Sequence, residues 1–120
     1  MSIEDLLEDM IKTLNKLYMC KSSTKGLVNY DIENAILYFK KMLIKNDCIL
    51  SRDTSNTCLD DITLYNTLLS ICDEVQCYNS LFSDDYLVGV WWNVCLAMND
   101  LEIDNVHVKN YVKERVINNK

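Results

Sequence analysis

The chain has 120 residues, of which 49 % are hydrophobic and 25 % charged, and its net charge is −6. That length and mix suit a single globular domain, 1–120, and exclude a chain too polar to bury a core. No run approaches the roughly 20 apolar residues that a bilayer helix needs.

Glu4, Asp5, Glu8 and Asp9 fall where the apolar part of a secretory signal would lie, so a cytoplasmic, intracellular protein is expected. In that setting the six cysteines (Cys20, Cys48, Cys58, Cys72, Cys77, Cys95) are expected to be reduced. Pro is absent and Asn, Lys, Ile and Tyr are abundant, a bias of AT-rich coding DNA. Richness in Asn and Lys therefore carries no functional message here.

The first helix starts at the cap Ser2, with apolar Ile3, Leu6, Leu7, Met10, Leu14, Leu17 and Tyr18 recurring at three and four. Its acids lead and its bases follow, in accord with the helix dipole. It ends near Cys20, and Ser22–Gly26 reads as a loop. Asp31 is read as the cap of a second helix over 32–46, whose inner stripe is Ile32, Ala35, Ile36, Phe39, Met42 and Leu43. Residues 47–59 show no period and read as a long loop, tacked down by Ile49 and Leu50.

Asp60 or Asp61 opens a third helix ending near 76–79, with Ile62, Tyr65, Leu68, Leu69, Cys72 and Val75 on one face. Leu81 and Phe82 are read as a hydrophobic staple for the helix that follows. That helix, about 84–98 with Ser83 as its cap, has no charge from Tyr86 to Met98. A helix apolar on nearly every side needs cover on nearly every side, so it is placed at the centre of the fold. A last helix, capped by Asp104, turns Val108, Tyr111, Val112 and Val116 inward. The expected fold is all-α, a bundle of five to six helices.

The chain offers little for catalysis. Cys72 and Cys77 are five residues apart, about 140° around a helix, and His107 has no ligand one turn away, so no metal site is expected. Asp60-Asp61 and Asp84-Asp85 stand where helices begin and are explained as caps. Two glycines, Gly26 and Gly89, cannot make a phosphate loop. No enzyme activity, cofactor or small-molecule substrate is implied, and the negative charge argues against nucleic acid as a partner.

Charge is uneven: −4 over residues 1–9, +5 over 10–46, −7 over 47–85 and zero over 86–120. The expected function is a non-enzymatic module, an adaptor or inhibitor, that binds another protein through an apolar groove or self-associates. On the apolar helix, Gly89, Asn93 and Ala97 make a row of small or polar residues beside Trp92, which Val88 and Leu96 flank. Val88, Gly89, Trp92, Asn93 and Leu96 are therefore the expected partner-binding residues, and Trp91 the expected core tryptophan. The alternative is an acidic decoy, in which the 47–85 segment occupies the nucleic-acid-binding site of another protein.

Overall fold

The computed structural model describes residues 2–50 and 56–101. Among these residues the fold is entirely helical: α1 (Ile3–Ser22), α2 (Gly26–Lys45), α3 (Asp61–Phe82) and α4 (Asp85–Asp100). Four helices are thus present where five or six were expected, and the expected last helix lies outside the described residues. No helix here is long and apolar enough to cross a membrane.

Helix α1 packs on α2 and α3, and α4 packs on the same two from the opposite corner. The direction of each helix follows from its contacts. Thr13 Oγ1 meets Tyr78 Oη at 2.8 Å and Lys16 Nζ meets Glu74 Oε1 at 2.6 Å, while Leu59, just before α3, donates its N–H to Ser23, so α1 and α3 are antiparallel. Lys45 reaches Asp84 at the start of α4, and Tyr38 lies on Gly89, so α2 and α4 are antiparallel too. Short turns reverse the chain within α1–α2 and α3–α4. Consequently α2 and α3 run the same way, so the end of α2 and the start of α3 lie at opposite ends of the bundle. The separation is about 30 Å, the length of a 20-residue helix. The long aperiodic connection is the topological price of this order.

The ends of the elements depart from the sequence reading in several places. Helix α2 begins at Gly26, six residues before the expected start, because Val28 packs on the core and Asn29 bonds back to Lys21 and Thr24. Gly26 itself has φ of +65°, a left-handed conformation cheap only for glycine. Asp31 is consequently inside the helix and buried, not a cap. Helix α3 runs on to Phe82, since Tyr78 and Phe82 both reach the core and no Pro or Gly stops it. Leu81 is exposed in its last turn and makes no staple.

The cap of α4 is Asp84, whose carboxylate accepts from Tyr86 N–H at 2.8 Å, whereas Ser83 closes α3 in a left-handed conformation. In the connection, Leu50 packs against the core but Ile49 is 95 % exposed and anchors nothing.

One apolar cluster joins all four helices, with Met10, Leu17, Phe39, Met42, Leu68, Val75, Leu87 and Val94 among its members. Helix α4 is a corner of this array and not its centre. Four helices packed two by two have no interior member, so its fourth side stays open among the described residues.

Candidate protein-binding surface

Helix α4 is fixed at its first turn. Asp84 takes Lys45 Nζ at 2.7 Å, and its own N–H is held by Asn79 Oδ1 at 3.1 Å. Burial pushes the Asp84 carboxyl upward, but Lys45 and the backbone N–H groups of Tyr86 and Leu87 outweigh it and hold the group below its ordinary range. Asp84 is thus a carboxylate that joins α2, α3 and α4, a structural post and not an acid catalyst.

From that start, the 3.6-residue period divides the apolar run into faces. Leu87, Val90, Trp91, Val94 and Met98 enter the core. Gly89 faces α2: a Cβ there would stand 3.0 Å from Cγ of Tyr38. Asn93, buried, donates its Nδ2 to the Gly89 carbonyl at 2.8 Å within the helix. The row of small residues expected to form a groove is therefore a packing seam on its Gly89 side, occupied by the Tyr38 ring. Small side chains admit a close neighbour whether it comes from another molecule or from the same chain, and sequence spacing does not separate the two.

The remaining face carries Val88 and Trp92, 48 % and 38 % exposed, with half-buried Leu96 one turn on. Trp91 is only 6 % exposed, so the two adjacent tryptophans point as differently as a 100° step requires. Their rings are 6.3 Å apart, tilted by 50°. Beside them a cavity of about 380 Å³ opens between α3 and α4. Val75, Leu87, Val88, Trp91 and Trp92 give it apolar walls, and Gln76, Asn79 and Ser80 a polar one. The indole N–H of Trp91 is buried without a hydrogen-bond partner among the described residues. The expected residues thus separate: Val88 and Trp92 border an open cavity, whereas Gly89 and Asn93 lie on another side of the helix.

The α3 wall was not legible beforehand. Gln76, Asn79 and Ser80 fall at or beyond the expected end of the third helix, so nothing placed them opposite Trp92. Among the described residues no three His, Cys, Asp or Glu side chains converge as metal ligands, and His107 lies outside them. Burial pushes the Cys20 thiol up to about 12, where it is no nucleophile. Cys72 and Cys95 meet in the core with their sulfurs 3.6 Å apart. No family model matches the chain, and neither the curated proteins nor the solved structures contain a match to it.

Proposed function

We propose that the chain is a non-enzymatic intracellular interaction module, an adaptor or inhibitor, whose partner is another protein seated on the α3–α4 face. The observation that carries this reading is Trp92, a large aromatic 38 % exposed at the rim of a 380 Å³ cavity, with Val88 exposed beside it. Exposed aromatics next to a concave, partly apolar site are the residues on which binding energy concentrates. An amphipathic helix fits the site: an apolar side chain enters between Leu87 and Trp91, and polar groups meet Gln76, Asn79 and Ser80. Leu96 extends the contact, while Gly89 supports it indirectly by letting α2 brace α4.

The acidic-decoy reading is weakened by what the acids of 47–85 already do. Asp60 caps α3, Glu74 is paired with Lys16, and Asp84 with Lys45. A decoy's affinity falls steeply with added salt, whereas an apolar contact is nearly indifferent to it.

Tryptophan substitutions test the proposal. Trp91→Ala is expected to destabilise the fold by about 3–5 kcal/mol, as loss of a core aromatic does. Trp92→Ala should cost less than about 1 kcal/mol. It should also abolish capture of a protein that the wild-type chain retains from its native cells. Iodide quenching of the single-tryptophan variants Trp91→Phe and Trp92→Phe checks the geometry first. If Trp92 is as protected as Trp91, no rim is available and the proposal fails.

A further inference from the structure

The outer side of α2 carries a second surface, well away from Trp92. Leu27, Tyr30, Leu37 and Ile44 are each more than half exposed, on a helix whose opposite side buries Phe39 and Met42. With Asn34 and Lys41 between them, they follow the spacing 27, 30, 34, 37, 41, 44. This is the alternating three-and-four step of a helix–helix seam, kept over the whole helix. Soluble monomers seldom leave such a stripe bare.

We infer that this stripe is a two-fold interface between two copies of the chain, with the α2 helices antiparallel. Charge selects both the occupant and the direction. A two-fold axis between Asn34 and Leu37 places Leu27 on Ile44 of the partner subunit and Lys41 beside Tyr30 of the partner subunit. The ammonium group, 5.8 Å from the centroid of its own Tyr38 ring, can then be shared between two ring faces. On the flank, Glu33 comes opposite Lys40 of the partner subunit, and symmetry makes the same pair again. Parallel packing would instead stack Lys41 on Lys41 of the partner subunit, two like charges face to face on the seam.

The shape agrees with the antiparallel register. A shallow cavity of about 310 Å³, lined by Lys21 of α1 and by Glu33, Asn34, Ile36, Leu37 and Lys40 of α2, borders the stripe on its α1 side. The register sets each subunit's Leu37 against Asn34 of the partner subunit, at the edge of that cavity, and the axis repeats the contact. Within one chain Glu33 has Lys21 at 3.8 Å, a loose exposed pair that leaves its carboxylate open to a second cation. Because α2 and α3 occupy opposite corners, the dimer leaves both α3–α4 faces uncovered. The inference is independent of the partner site proposed there.

Sedimentation velocity of the full chain at concentrations up to about 0.3 mM tests the interface, a range that reports even weak self-association. A concentration-dependent dimer is expected for the wild type, and a monomer with unchanged circular dichroism and Tm for Leu37→Glu. Glu33→Lys and Lys40→Glu should each weaken the dimer about tenfold, since every substitution reverses two symmetric pairs. The double variant E33K/K40E should recover most of that loss. A wild-type monomer at all concentrations would overturn the inference. So would a dimer that survives Leu37→Glu, or a double variant no better than its parents. Trp92→Ala should leave the dimer intact; if it alone dissolves the dimer, the contact is on the α3–α4 face instead.

Discussion

The two ends of the α2–α4 seam are held by opposite electrostatic devices. At one end Lys45 and Asp84 form an ion pair of 2.7 Å, with Asp84 buried and the lysine reaching in from solvent. At the other, Asp31 is buried against Asp100 at the last turn of α4, and the two carboxyl groups share a hydrogen bond. Oδ2 of Asp31 has no hydrogen-bond partner among the described residues. Burial, and then the hydrogen bond and the like charge of Asp100, push the Asp31 carboxyl up to about 7. One end is therefore complete when its groups are charged, the other when one of its groups is not. The same pair of helices is clasped by a salt bridge and by a retained proton, and the two respond to pH with opposite sign.

The largest expected effect is at the carboxyl end. An unfolded Asp31 releases its proton near its ordinary value of 3.8, but the folded one holds it up to about 7. Between those values the folded state binds more protons, so stability falls as pH rises through the window. A loss on the order of 2 kcal/mol from pH 4 to pH 8 is expected from this site. Asp31→Asn, which keeps the shape and donates to Asp100 permanently, should raise Tm at pH 8 and leave it unchanged near pH 4. Urea titrations of both proteins across that range measure the difference. Equal pH profiles would mean that Asp31 and Asp100 do not share a proton.

The ion-pair end is expected to respond less and in the other direction. The Asp84 carboxyl lies below 3.8 in the folded state, so its contribution is present above that pH and is lost only as pH falls through the folded value. Asp84→Ala removes a helix cap and the ion pair together, but Lys45 is exposed and is simply rehydrated. The expected cost is about 1–2 kcal/mol, chiefly the cap, and it should be flat from pH 5 to pH 8. A cost that grows steadily with pH in that range would assign the titration to the wrong end.

How far these features could be read from sequence depends on how local their causes are. The cap Ser2 with Asp5 N–H on its hydroxyl, the α1 stripe from Met10 to Tyr18, the α2 stripe and the burial of Trp91 each follow from spacing within one helix. Ile3, at the start of the α1 stripe, is instead 67 % exposed. Asp31 was misread because a lone acid before an apolar run looks the same as a cap. Only the turn at Gly26 and the packing of Val28 carry the helix past it. That Gly89 lies on Tyr38 was illegible for a related reason: a row of small residues says that something approaches, not what does. The α3 wall of the cavity was hidden because the end of α3 is set by Tyr78 and Phe82 finding the core, a tertiary event.

The smallest expected effect is in the middle of the seam, where Gly89 lies on Tyr38, and there the sign is the informative quantity. Replacing a helical glycine by alanine ordinarily stabilises by up to about 1 kcal/mol. Here the added Cβ would lie 3.0–3.1 Å from Cγ, Cδ1 and Cδ2 of Tyr38, the root of the ring and not its tip. A ring cannot swing away about its own root, so relief requires α2 to move as a body, against the clasps at both ends. The propensity gain should be overdrawn slightly, and Gly89→Ala is expected to destabilise by about 0.5 kcal/mol. Removing the ring should reverse this: in a Tyr38→Ala background the same change should stabilise by about 0.5–1 kcal/mol. Chemical denaturation of the four proteins in this cycle supplies the coupling directly. If Gly89→Ala stabilises in both backgrounds, the seam yields at its middle and its two ends are not held at a fixed separation.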